Sequence, residues 1–430
     1  PDVVLHRPSR REESPVTSPA TSASTPSPGE ALSRPQYRHL VVVLGILGAL
    51  GPMTIDTYLP ALPRLAQSLD ASDSQAQLTL SAMLFGMGFG QLVFGPLSDA
   101  VGRRRPLLAG LACHVIASVI CGLAPTIGVL LAGRLVQGLA ASAIAVASQA
   151  LIRDLFRGLR AAELLSRLAL ITGMAPILAP LVGSGLLTFT SWRGVFGLLG
   201  VAAMLILVMT RSELAESLPP ERRIPATFAG TVTAYRQVLS DKLFLAVVFV
   251  AAMVFTSLFA YVSGSSFVMQ NVFGLSPQWF GVAFASMSIG LSLSSQFNPR
   301  IVRKVGPVRG LMAGLLLMFV GGLVMLVLAE MRFGGIAGFL PPMFLVMMGL
   351  GISLPNAPAV ALHRHGEAAG TAAALLGAAQ FAMASVVTPV VGAMADGTSR
   401  PIPIVILSAT GLAIVVMLFA GRRLRAESYD

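Results

Sequence analysis

The sequence predicts an all-α polytopic membrane protein, with twelve transmembrane helices in two six-helix pseudo-symmetric halves. Three observations predict it: too little charge to cover a soluble surface, apolar runs of crossing length on either side of a polar middle, and basic residues gathered on alternate loops. Of 430 residues, 55% are hydrophobic and only 11% charged. A soluble chain of that length covers itself with far more charge, so lipid is expected to be the covering solvent. A bilayer core about 30 Å thick asks for roughly 20 apolar residues per crossing.

Residues 1–36 are rich in Ser, Pro, Thr, Ala and Arg and lack a helical period, which predicts a disordered cytoplasmic tail. They contain no apolar h-region with a cleavage site, so no signal peptide is expected. The first half, residues 37–210, is expected to hold spans near Leu40–Leu62, Gln75–Leu97, Pro106–Ala124, Gly128–Ala150, Leu168–Phe189 and Gly194–Met209. Residues 211–242 carry Pro219, Pro220 and alternating charge. They read as a cytoplasmic linker, part of it an amphipathic helix on the inner surface. The second half, residues 243–421, is expected to hold spans near Leu243–Val272, Gln278–Phe297, Leu311–Ala329, Gly335–Val360, Ala368–Val391 and Ile402–Ala420, followed by a cytoplasmic tail over 422–430. Six spans on each side of a charged loop is the pattern of two structural repeats.

Orientation follows from Arg and Lys on alternate loops. One set of loops, including Arg103–Arg105, Arg153, Arg211, Lys242, Arg300, Lys304 and Arg422, holds 25 basic residues. The other set holds 4: Arg64, Arg193, Arg332 and Arg400. This asymmetry requires an even number of spans and predicts both termini in the cytoplasm. The net charge of +11 is thereby assigned to topology, and no nucleic-acid partner is expected. Only Lys242 and Lys304 are lysine among 30 basic residues, which with abundant Ala, Gly and Val points to a GC-rich bacterial genome and a bacterial plasma membrane.

Two ionisable residues interrupt apolar spans: Asp56 in the first and Arg134 in the fourth. A charge at mid-bilayer costs about 3 kcal/mol on insertion scales, so such residues usually face a cavity or a partner. Asp56 has a second reading as an interfacial helix-end residue, because Pro60 and Pro63 mark the end of its span. Arg134 has one as a structural donor to backbone carbonyls. Gln137, one turn on, shares the Arg134 face. A cavity-lining Asp suits proton coupling because desolvation favours the neutral form of a carboxyl and a nearby cation the ionised form. His114, alone among apolar neighbours in the third span, reads as a satisfied core residue and not as a proton relay. Cys113 and Cys121 share that span and read as small packing residues.

The loop after the second span runs Gly95-Pro-Leu-Ser-Asp99-Ala-Val-Gly102-Arg103-Arg104-Arg105. Its glycines suit a tight turn and close helix approach, and Asp99 suits pairing with an arginine at the cytoplasmic edge. In the fifth span, Pro176 and Pro180 each remove a helix hydrogen bond and permit a kink, while Gly173, Gly183 and Gly185 suit close packing on another helix.

These residues carry a resemblance. Gly95–Arg105 resembles the loop motif of the major facilitator superfamily, Arg134-Leu-Val-Gln137-Gly138 its fourth-helix motif, and Pro176-Ile-Leu-Ala-Pro180-Leu-Val-Gly183-Ser184 the fifth-helix motif associated with antiporters. More narrowly, Asp56-Thr-Tyr58-Leu-Pro-Ala-Leu-Pro63, Gln91–Asp99, Ile152-Arg-Asp154 and Leu218–Arg223 are similar to signatures of the Bcr/CflA drug-resistance transporters. The resemblance implies the major facilitator fold and a proton-coupled antiporter that exports drug-like compounds, such as chloramphenicol-type or bicyclic antibiotics, by alternating access. It implies that Asp56, with Tyr58, bears on substrate or protons, Arg134 and Gln137 on proton coupling, Gly95, Asp99, Gly102, Arg103 and Arg104 on gating, and Pro176, Pro180 and Gly183 on antiport. Two departures stand out: Ala100 where the loop motif has arginine, expected to weaken the charge network, and Ser184 for a glycine.

No acidic residue lies deep in a second-half span, so ionisable coupling is expected in the first half. The alternative reading is a carrier of a physiological metabolite such as an amino acid or sugar derivative. An enzyme is not expected, because no metal motif or intramembrane acidic pair is present. No phosphate-binding Gly-Lys-Ser/Thr loop is present either, so transport is expected to draw on an ion gradient. The expected partners are a small molecule, protons and the bilayer; no cofactor and a monomeric chain are expected.

Overall fold

The computed structural model describes residues 33–156, 158–223, 227–363, 365 and 368–427. Fourteen α-helices occur among them: α1 (Arg34–Asp56), α2 (Leu62–Ser68), α3 (Asp73–Val101), α4 (Arg104–Leu123), α5 (Ile127–Leu155), α6 (Gly158–Leu186), α7 (Trp192–Glu213), α8 (Phe228–Leu239), α9 (Lys242–Phe267), α10 (Pro277–Val305), α11 (Pro307–Glu330), α12 (Gly335–Leu362), α13 (Ala369–Ala393) and α14 (Pro401–Glu427). Twelve helical segments are long and apolar enough to cross a membrane, α1 with α2 counting as one and α8 as none. Each is longer than its expected apolar run, and four of them begin at a polar side-chain cap. Ser72 and Gln75 form a reciprocal capping box at α3, and Thr126, Asp241 and Ser276 cap α5, α9 and α10.

Helices α1 and α3–α7 pack among themselves, as do α9–α14; α3 on α13 and α6 on α10 join the two groups. The faces toward lipid carry exposed large apolar side chains such as Ile116, Leu123, Phe419 and Leu418, as a lipid-covered bundle requires.

Several expectations change at the ends. The tail expected over 1–36 lies outside the described residues up to 32, and α1 already begins at Arg34. Helix α14 runs through Glu427, into the tail expected from 422. In the linker, α7 reaches Glu213 and α8 covers Phe228–Leu239; the Tyr235 hydroxyl donates to the Leu92 carbonyl of α3 at 2.8 Å. The first span does not stop at its prolines. Its α-ladder ends at Asp56, a 3-10 turn covers Leu59–Ala61, and α2 carries the chain on.

Candidate functional site

The α1–α2 break falls where Pro60 and Pro63 lack the N–H donors an α-ladder needs, although Tyr58, Ala61 and Leu62 keep right-handed helical angles. Asp56 therefore stands at a helix end, as an interfacial residue would, yet it is only 6% exposed, as a cavity residue would be. No hydrogen-bond partner meets its carboxylate among the described residues. It stands within electrostatic range of Tyr261 on α9, whose hydroxyl is buried and also unpartnered. Asp56 thus faces the seam between the halves.

Arg134 is fully buried on α5. Its Nη1 donates to the Gln137 Oε1 at 2.7 Å and to the Thr54 carbonyl at 3.3 Å, while Nε and Nη2 meet no acceptor among the described residues. The guanidinium lies 4.2 Å over the Tyr58 ring and 5.7 Å from that of Phe196. Such cation–π contacts contribute about 1–2 kcal/mol when desolvated, far less than a buried carboxylate partner. The Gln137 amide donates to Ser118 Oγ at 2.9 Å, and Thr54 Oγ1 lies 3.0 Å from His114 Nε2. Tyr58 bonds Thr79 at 3.3 Å. The structure thus brings Arg134, Gln137 and Tyr58 into one cluster with His114, Ser118 and Thr54. Asp56 sits two residues beyond Thr54 but is not bonded into it.

Glycines set the helix spacing here. A Cβ on Gly138 would strike the Met83 carbonyl of α3, and one on Gly183 the Thr57 carbonyl beside Asp56. Gly173 and Gly185 do not share that role, since a Cβ on either would meet open space. The Gly173 carbonyl instead accepts Ser292 Oγ of α10 at 3.1 Å. Pro176 and Pro180 stand inside α6, the helix that packs on α10 across the halves.

The expected gating loop is a second cluster. Gly102 ends α3 at φ 95°, ψ 165°, a conformation open essentially to glycine alone. Gly95 makes no turn and no close approach: it lies inside α3 with open space around it, which corrects the expectation for that residue. Arg103 bridges Asp99 at 2.5 Å and Asp154 of α5 at 2.9 Å, and also bonds Ser98. Burial alone would lower the Arg103 pKa, but its bonds to Asp154 and Asp99 raise it above the ordinary arginine value. Arg104 donates to the Leu214 and Arg211 carbonyls at 2.7 and 2.8 Å. Glu216, from the loop after α7, accepts the backbone N–H groups of Arg103 (2.8 Å), Arg104 (3.2 Å) and Leu218 (3.1 Å). Burial opposes its charge, yet those three bonds and Arg223 hold its carboxyl below the usual glutamate value.

Sequence reasoning missed Asp154 and Glu216 as members of this cluster. Asp154 left a signal, since an acid in the last turn of a helix opposes the helix dipole and implies a cationic partner. In the second half, Asn298 of α10 and Asn356 of α12 exchange amide bonds at 2.9 and 3.3 Å, a neutral tie where the first half uses ions.

Across the seam, Ser266 and Gln270 of the α9 end donate to the Leu59 and Pro60 carbonyls at 2.6 and 3.1 Å, Gln278 to the Ser184 carbonyl at 3.4 Å, and Ser81 to that of Ser385. The α9 end is a π-helical turn over Val268–Val272, a geometry frequent at functional sites.

The Major Facilitator Superfamily profile aligns with residues 44–388. The chain is 36% identical over 358 residues to an uncharacterized MFS-type transporter, YdgK, of Bacillus subtilis, covering 82% of this chain and 88% of that protein. It is 30% identical to a bicyclomycin resistance protein homolog of Haemophilus influenzae (88% and 94% covered) and 29% to a chloramphenicol resistance protein of Pseudomonas aeruginosa (88% of each). Its fold matches the partially occluded inward-open xylose transporter XylE of E. coli with a TM-score of 0.71 at 15% identity, over 89% of this chain and 97% of that one. With its fold and most of its length aligned to these carriers, the chain belongs to the major facilitator superfamily and is a multi-pass membrane transporter, not an enzyme.

Proposed function

We propose that this transporter is a proton-coupled antiporter of the Bcr/CflA type, expelling small drug-like molecules across a bacterial plasma membrane by alternating access. Residues 37–210 and 243–421 are taken as the two moving bodies, joined by the linker 211–242, with both termini cytoplasmic and the chain acting as a monomer. The relatives named for bicyclomycin and chloramphenicol resistance support the substrate class, and the 25-to-4 charge asymmetry supports the orientation. With that orientation, the bonds from Ser266 and Gln270 to the α1–α2 turn close the outer end, the arrangement of an inward-facing carrier.

The observation that carries the coupling is Asp56: a buried carboxylate with no bonded partner among the described residues, at the seam, in a half that also buries an arginine with no counter-ion among them. An ion taken from a wet cavity into a dry seam costs several kcal/mol unless it is neutralised. Asp56 is therefore closed in with a proton or with a substrate cation, not with neither. That exclusion couples the two fluxes. Arg134 holds positive potential in the first half in every state, so its unfilled donors favour release of the proton once the cavity opens to the cytoplasm. Each elementary charge moved across 100 mV contributes about 2.3 kcal/mol, enough for useful accumulation.

The test is efflux of a compound panel from vesicles with an imposed pH gradient. Asp56→Asn is expected to abolish gradient-driven efflux while the protein stays in the membrane. Normal efflux in that variant would remove Asp56 from the mechanism. A carrier of a physiological metabolite would leave the drug panel untouched and the drug tolerance of an expressing strain unchanged.

A further inference from the structure

His114 joins the Arg134 cluster through a closed ring of hydrogen bonds whose proton directions can be followed one by one. Thr54 has one hydroxyl proton, and its Oγ1 lies 2.6 Å from the Leu50 carbonyl, which can only accept. That proton is committed, so the contact of Thr54 Oγ1 with His114 Nε2 at 3.0 Å needs its proton from the ring. Ser118 is committed in the same way, to the His114 carbonyl at 2.8 Å, and its oxygen then receives the Gln137 amide N–H. Gln137 cannot be turned around, because Arg134 offers only donors and must meet Oε1. His114 Nδ1 is left 3.4 Å from Ser118 Oγ, whose proton already points elsewhere.

We infer that His114 is a positioning residue: as a neutral ring protonated on Nε2, it ties the Thr54 segment of α1 to α4 and so sets where Asp56 and Arg134 stand relative to each other. All five members, Thr54, His114, Ser118, Arg134 and Gln137, are buried, and they come from three helices. The short bonds of the ring require a proton on Nε2 and leave Nδ1 with one long contact. A second proton on Nδ1 would meet only the Ser118 Oγ, at 3.4 Å, and would set an imidazolium beside the Arg134 guanidinium. Among the described residues the other titratable groups near the cluster, Tyr58 in the α1–α2 turn and Cys121 on α4, are ordinarily neutral, and α7 contributes Phe196. His114 therefore holds the proton machinery in place and does not relay protons.

The transport consequence rests on the proposed proton coupling; the tautomer does not, and the experiment separates them. Solid-state NMR of 15N-histidine protein in lipid is expected to show His114 neutral and Nε2-protonated from about pH 5 to about pH 8, the range in which a free imidazole changes charge. An Nδ1–H or doubly protonated ring in that range overturns the inference, whatever the protein transports. In vesicles, His114→Leu is expected to lower gradient-driven turnover roughly tenfold, about 1.4 kcal/mol at the barrier, and to shift its pH midpoint. Its substrate KM should stay near wild type, as should proton-independent counterflow, which also shows that the variant is folded. His114→Gln restores a donor without a titrating group, so it should recover most of the turnover and the wild-type pH profile. A flattened profile in His114→Gln would make His114 a relay, and wild-type kinetics in His114→Leu would make it inert; either result overturns the positioning role.

Discussion

Replacing Glu216 by alanine tests how the loop after α7 governs the start of α4. Arg103 is the N-cap position of α4, and its side chain, turned toward Asp99 and Asp154, offers the helix no cap. The first donors of α4 are met instead by a carboxylate 113 residues away in sequence, which also closes its own loop on Leu218. Losing a capping side chain costs about 1 kcal/mol, and losing a negative charge at a helix N-terminus about 0.3–1 kcal/mol more. Glu216→Ala is thus expected to destabilise the protein by about 1–2 kcal/mol, read as a lower midpoint for unfolding by SDS in mixed micelles.

A second variant makes this specific. Gly102→Ala forces a side chain into a region that costs about 1–3 kcal/mol. Its Cβ would also run into the Glu216 carboxylate. Combining it with Glu216→Ala removes that collision, so the pair should lose less stability than the two single variants together, with a coupling above about 0.5 kcal/mol. Strict additivity, or an unchanged midpoint in Glu216→Ala, refutes the cap.

The pH dependence follows from the same group. The Glu216 carboxyl is depressed in the folded protein, so its contribution is full above the ordinary glutamate value and lost as pH falls through the folded value; Glu216→Gln should flatten this acid limb of the stability profile. Arg103→Gln is expected to cost about 1.5–3 kcal/mol, because it leaves the Asp154 carboxylate with Ser217 but no cation, and Asp154→Asn added to it should recover part of the loss in the same assay. Asn356→Leu strands the buried Asn298 amide and should cost about 1–3 kcal/mol, whereas replacing both asparagines by leucine should cost less than replacing one.

The spans were legible because a bilayer imposes a length and a composition that no local interaction can waive, so each apolar run became a helix. Arg134 was legible for the same reason: a charge in such a run has nowhere to hide. Glu216 was not, because an acid in a polar loop reads like any solvated charge until the chain folds back onto α4. The partners of His114 were hidden differently. Thr54 and Ser118 each bond their own helix four residues back, as hydroxyls in helices commonly do, and their second bonds depend on helix rotation. The glycines divide on the same ground. Gly138 and Gly183 face backbone while Gly95, Gly173 and Gly185 face space, and which outcome holds is decided by the neighbouring helix and not by the motif.

The two halves solve one local problem with different chemistry. Gly102 and Gly306 both end their helices with positive φ and nearly equal ψ, and a helix starts directly after each turn. Behind the first turn stand Arg103, Asp99, Asp154 and Glu216; behind the second stands the Asn298–Asn356 pair. The attraction within an ionic tie weakens several-fold as water raises the local dielectric, while each charge separately regains hydration. An amide pair carries no net charge and responds far less to wetting. Asp99 is 47% exposed at its side chain and Asp154 22%, so the Asp99 share of the ionic tie stands further into water. Under alternating access, the first half therefore carries the tie whose strength follows the wetting of its surroundings, and the second half carries one that does not. The same division separates Asp56 and Arg134 from the spans α9–α14, in which no acidic residue lies deep, so both the charge that would be exchanged and the tie that would sense the exchange belong to one half.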